Sequence, residues 1–194
     1  LTGQAPDGGL YVPESLPRLP AAFLSDLRAK SLVEIGTGML APFVDDVPRS
    51  ELEEILSAAW DFPVPLSPLD NRIRLLELFH GPTFAFKDFG ARFMARILSA
   101  YLKRDTRDVT ILVATSGDTG SAVAHGFFGV PHVSVCVLYP SGKISPIQER
   151  QMTTLGGNIR AFEVAGTFDD CQRLVKEALN DRDLRTGLSL TTAN

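Results

Sequence analysis

Four short apolar runs, VTILVA (109–114), VSVCVL (133–138), IRAFEV (159–164) and LSL (188–190), recur along the second half of the chain with helical patterns between them. Such short, almost uninterrupted apolar runs suit strands covered on both faces. The clearest helical pattern opens with Thr167 as N-cap and carries Asp169 and Asp170 in its first turn. It then lines up Cys171, Leu174, Val175, Ala178 and Leu179 on one stripe. Buried strands alternating with amphipathic helices predict an α/β fold, a parallel sheet built from βαβ units. In such sheets ligands meet the chain where a strand hands over to a helix, at the strands' carboxyl ends.

Upstream the pattern differs. Pro13, Pro17 and Pro20 punctuate the start, and Ser50 followed by Glu53 reads as a capping box opening a run to Trp60. Leu52, Ile55, Leu56 and Ala59 give that run one apolar face. A small, mainly helical amino-terminal domain is therefore predicted over residues 1–72, ahead of an α/β domain over 73–194. The proline-rich FPVPLSPLDNR reads as the linker or boundary between them.

The formal net charge of −4 argues against a nucleic-acid or membrane-surface partner, both of which favour basic patches, and points to a small-molecule ligand. Cys136 and Cys171, the only cysteines, make neither a metal site nor a disulfide framework. Buried free thiols in a reducing cytoplasm are expected. No window approaches the roughly 20 apolar residues of a membrane span, and LTGQAPDGG does not read as a signal peptide. A cytoplasmic location follows as the expectation.

At the end of the first apolar run the chain enters Thr115-Ser116-Gly117-Asp118-Thr119-Gly120 and then a helical pattern. Two readings stand here. Unpaired N–H groups at a helix start, with Ser and Thr hydroxyls beside them, would hold a carboxylate or phosphate. Alternatively, Asp118 or Thr119 is a helix cap. The DTG-plus-Ser string also spells an aspartic-protease motif, but it occurs once and a helix-forming AVAHGFF follows it. No Gly-Lys-Ser/Thr follows the turn, which excludes a Walker-type loop.

Lys87 stands out within LFHGPTFAFKDFGAR. The pattern after it places Phe89, Phe93, Ile97 and Ala100 on one helix side, with Met94, Leu98 and Leu102 beside it. Lys87 then falls at or just before the first turn, where the helix dipole and Phe84, Phe86 and Phe89 would disfavour the ammonium form. A neutral lysine amine is a nucleophile that forms Schiff bases with carbonyl compounds. The bland alternative is a snorkelling lysine whose stem covers the phenylalanines and whose head reaches water or Asp88.

The strings ELFHGPTFAFKDFGARFMA, ATSGDTGSAVAHGF and YPSGKISPIQERQMTTLGGNI resemble the threonine synthase family, as GLYVPESLP does more weakly. These are pyridoxal 5'-phosphate (PLP) enzymes of the tryptophan-synthase-like fold type II. The resemblance implies a last step of threonine biosynthesis in which O-phospho-L-homoserine and water give L-threonine and phosphate. It implies that Lys87 carries PLP as a Schiff base and shuttles protons, and that Asp118 faces the PLP ring. Thr115, Ser116, Gly117 and Thr119 would hold the substrate α-carboxylate. Lys143 and Arg150 would face the substrate phosphate, the alternative for each being a surface cation. A separate Gly-rich loop grips the PLP phosphate in this family; it is expected beyond Asn194, so the chain reads as the amino-terminal part of a longer enzyme. His80 is assigned a turn or core role, no metal is implied, and a monomer or homodimer is expected. Two other classes stay open: a non-catalytic protein binding PLP or a phosphorylated metabolite, and another type II lyase such as threonine dehydratase.

Overall fold

Ser31 accepts from the Glu34 N–H while the Glu34 carboxylate accepts from the Ser31 N–H at 2.7 Å, a reciprocal capping box. The computed structural model describes residues 5, 9, 11–105 and 107–193. It separates into two compact units that divide between Asp61 and Phe62, at the head of the proline-rich segment. The first unit carries α1 (Ala21–Ser25), α2 (Leu32–Leu40), which the Ser31 box opens, and α3 (Arg49–Ala59). Leu52, Ile55, Leu56 and Ala59 are buried on α3 as their spacing predicts. The predicted cap is not formed. Pro48, in an extended conformation, is the N-cap and accepts from the Leu52 N–H, so Ser50 already lies inside the first turn.

The second unit opens with a hairpin that the proline-rich reading does not anticipate. β1 (Leu66–Pro68) pairs antiparallel with β2 (Arg74–Leu76). Asp70 closes the turn, its Oδ1 accepting from the N–H groups of Arg72 and Ile73 at 2.7 Å each. The elements that follow are α4 (Lys87–Arg104), β3 (Val109–Ala114), α5 (Asp118–Phe127), β4 (Val133–Pro140), α6 (Pro146–Thr153), β5 (Ile159–Val164), α7 (Phe168–Asn180), α8 (Arg182–Leu188) and β6 (Leu190–Thr192). The strands form one sheet in the order β5-β4-β3-β6, with every neighbouring pair parallel.

The first three apolar runs are strands, as predicted. The fourth is displaced: Leu188 ends α8, Ser189 turns the chain with a φ of 46°, and pairing starts only at Leu190. Ile111, Val113, Val135 and Val137 are the fully buried part of the sheet's core, in one cluster with a fully buried Phe127 from α5. On α4 the buried stripe is Ala91, Ala95, Leu98 and Leu102, not the Phe89 and Phe93 face. Small residues win there because α4 and α5 cross closely: a Cβ at Gly126 would stand 3.0 Å from the Ala91 carbonyl oxygen. Phe89 instead meets the edge of Phe62, centroids 4.9 Å apart. Cys171 is buried and Cys136 half-buried, both as free thiols, and burial pushes both above the usual thiol range. Among the described residues no helix is long and apolar enough to cross a membrane.

Thr167 caps α7 as predicted, its Oγ1 accepting from the Asp170 N–H. The Asp170 carboxylate returns bonds of 2.8 Å from the N–H and hydroxyl of Thr167, which hold its carboxyl below the usual range. Thr167→Ala is expected to cost about 1 kcal/mol at neutral pH, read by urea denaturation. Because Asp170 titrates lower in the folded state, the stability it contributes is present above the ordinary aspartate range. It is lost as pH falls through the depressed folded value, so the gap between Thr167→Ala and the parent should narrow in acid.

Candidate active site

The turn ahead of α4 is held from inside the protein. Asp88, fully buried, accepts from the Thr83 N–H at 2.9 Å and from the Thr83 hydroxyl at 2.7 Å. Gly81 lies against it; a Cβ there would stand 2.4 Å from Asp88 Oδ2. Asp88 is therefore committed to the turn and is not the partner of Lys87 suggested by the snorkelling reading.

Lys87 is the first residue of α4, with Phe86 as N-cap. Its Nζ stands 3.5 Å from Asp118 Oδ2 and 4.2 Å from the Phe86 ring centroid. A carboxylate and an aromatic face both stabilise a cation. The expected apolar surround is corrected: Phe84 and Phe86 are 73% and 59% exposed, and a carboxylate from another element faces the amine. One third of the Lys87 side chain remains exposed, which leaves the amine accessible.

In the loop from β3 to α5 the helix-cap reading fails. Neither Asp118 nor Thr119 caps the helix; Gly117 is the N-cap, without a side-chain hydrogen bond. The structural work falls to Thr115, 1% exposed, whose Oγ1 accepts from the N–H groups of Gly117 at 3.0 Å and Gly120 at 2.8 Å. That oxygen is thus engaged within the loop. Ser116 and Asp118 are exposed and Thr119 half-buried. Among the described residues the N–H groups of Ser116, Asp118 and Thr119 have no acceptor. Free donors at a helix N-terminus fit a carboxylate.

The loop from β4 to α6 approaches the same place. Ser145 caps α6 in a reciprocal box with Gln148, and the Gln148 amide donates to Asp118 Oδ1 at 2.7 Å. Gln148 was not singled out from the sequence. The Ser145-to-Gln148 spacing could have marked it as a capping residue, but no local signal reveals its bond across to α5. Lys143 and Arg150 are exposed, and neither makes an ion pair among the described residues. His80 has the turn role expected of it: its Nε2 meets Glu77 Oε2 at 2.6 Å and its ring lies 4.7 Å from that of Phe79. The hydroxyl of Ser67 and then His80 hold the Glu77 carboxyl below the usual range.

A cavity of about 560 Å³ lies elsewhere, between the end of α4 and the amino ends of β3 and β6, lined by Tyr101, Leu102, Val109 and Leu190 among others. Strand carboxyl ends are where parallel sheets bind ligands, and Lys87, Asp118 and the free loop amides lie there instead.

An accessible amine at a helix start, facing an aspartate and a strand-to-helix anion loop on a parallel sheet, has the donor set that PLP chemistry needs: a nucleophile for the aldehyde and free N–H groups for an amino-acid carboxylate. The chain belongs to the pyridoxal-phosphate dependent enzymes, whose family model matches residues 64–188. Residues 1–60 match the model described as the threonine synthase N terminus. Threonine synthase from Escherichia coli (strain K12) is 47% identical over 99% of this chain, which covers 45% of that protein. The crystal structure of threonine synthase from Escherichia coli superposes with a TM-score of 0.91 at 46% identity, over 99% of this chain and 45% of that one. A PLP-bound threonine synthase from Brucella melitensis gives 0.90 at 40% identity, over 99% and 43%. The chain thus spans less than half the length of these relatives.

Proposed function

We propose that this chain supplies the reactive lysine and the substrate-carboxylate loop of a threonine synthase, which converts O-phospho-L-homoserine and water to L-threonine and phosphate. The observation that carries this reading is Lys87, whose accessible Nζ faces Asp118 at 3.5 Å beside the open amides of the α5 N-terminus. PLP, when bound, supplies the electron sink for carbanions of the amino-acid substrate. Lys87 would hold the cofactor covalently and, once released by the substrate amine, accept and return protons. Asp118, 3.5 Å from the Lys87 nitrogen, would face the cofactor ring. The N–H groups of Ser116, Asp118 and Thr119, with the Ser116 and Thr119 hydroxyls and the backbone of Gly117, would orient the α-carboxylate. Lys143 and Arg150, exposed and without ionic partners among the described residues, would make charge-assisted bonds to the leaving phosphate. The grip on the cofactor's own phosphate would come from residues outside this chain, and the enzyme would work in the cytoplasm as a monomer or homodimer.

The test is product analysis on the protein that carries this chain, loaded with PLP. Release of inorganic phosphate and threonine from O-phospho-L-homoserine is expected. Release of ammonia from threonine, without phosphate release, would identify a dehydratase instead.

A further inference from the structure

Gln148 has a role that neither its position in the sequence nor the reaction assigns. Its side-chain amide is held at both ends. Oε1 accepts from the N–H of Ser145 at 3.2 Å and from its hydroxyl at 3.0 Å, which orients Nε2 toward Asp118 Oδ1 at 2.7 Å. The capping box therefore fixes which way the amide points. The other oxygen of Asp118, Oδ2, is the one that faces Lys87 Nζ at 3.5 Å.

The surroundings are shaped for this bridge. Gly117 has a φ of 137°, and a Cβ there would stand 2.5 Å from the Gln148 amide atoms, so only glycine lets the amide cross the loop. The Ser121 hydroxyl reaches the Gln148 carbonyl oxygen at 3.4 Å, and Gly120 packs against Met152 with no room for a side chain. The first turns of α5 and α6 are thereby locked together. Asp118 is half-exposed and would otherwise turn about its side-chain torsions.

We infer that Gln148 is a positioning residue for Lys87: its amide pins one oxygen of Asp118, so that the other is presented to the lysine nitrogen. This deepens the proposed reaction and rests on it. The bridge also connects Lys87 to the loop that bears Lys143, because the same glutamine caps the helix which that loop enters.

Gln148→Glu separates this role from capping. A glutamate at the third helical position still accepts from Ser145 and favours the helix start, so α6 should lose no stability. It cannot donate to Asp118 and sets a second carboxylate against it. The experiment compares wild type, Gln148→Glu and Gln148→Ala in the protein that carries this chain. It follows thermal unfolding, the rate of borohydride-trapped PLP attachment mapped to Lys87, and kcat and KM for phosphate release. The expected result for Gln148→Glu is an unchanged melting temperature, trapping at Lys87 slowed about tenfold, and kcat lowered about tenfold or more with KM within about threefold. Gln148→Ala should show the same kinetic loss together with a lower melting temperature from the lost cap. Wild-type trapping and kcat in Gln148→Glu would overturn the inference while leaving the proposed function intact. Absence of any Lys87 adduct in the wild type would instead overturn the proposed function.

Discussion

Lys87→Ala is expected to abolish borohydride-trapped attachment of PLP and to lower phosphate release from O-phospho-L-homoserine by about 100- to 10,000-fold, the range of a lost acid–base group. The protein should stay folded. The ion pair with Asp118 spans 3.5 Å between side chains one third and one half exposed, a setting in which such a pair stabilises by about 0–1 kcal/mol. Lys87→Arg supplies the control, since it keeps the cation beside Asp118 and the Phe86 ring but has no nucleophilic amine. Equal loss of activity in both variants, with near-parental urea denaturation, would assign the effect to the amine. An adduct that maps in the wild type to Lys143 would contradict it.

The sequence made the βαβ alternation readable because β3 and β4 have one buried face and a second that is mostly half-buried, so both are nearly free of polar residues. Thr167 was legible for the same local reason, its cap and its acidic partner lying three residues apart. Ser50 shows the limit of that signal: the spacing is right, yet Pro48 starts the helix earlier and empties the motif. The face of α4 was misread because periodicity counts large apolar residues. Close packing against α5 instead selected Ala91 and Ala95.

In the site, the polar loop could be found from composition at a strand end, and the lysine from its place at a helix start among phenylalanines. Contacts between them could not. Asp118 lies thirty-one positions from Lys87, Gln148 thirty from Asp118, and nothing local records that the β3-α5-β4 crossover brings them together. Thr115 is the converse case. As one hydroxyl in a polar string it looks equivalent to Ser116 and Thr119, and only burial reveals that it serves the loop.

Asp88 carries the largest expected effect on stability. Its carboxylate is fully buried and accepts both the N–H and the hydroxyl of Thr83. Asp88→Ala would leave those buried donors without an acceptor, at a cost of about 3 kcal/mol in urea denaturation. Asp88→Asn should cost only about 1 kcal/mol, because the Thr83 hydroxyl can turn to accept from the new amide while the N–H keeps an oxygen. The two variants also separate stability from chemistry. Asp88 follows Lys87 directly in the first turn of α4, and it ties that turn to residues 81–83. If this anchor sets the position of the amine, Asp88→Ala should slow borohydride trapping at Lys87 even at temperatures where it remains folded, and Asp88→Asn should trap at nearly the parental rate. Equal trapping in both variants would confine Asp88 to holding the fold.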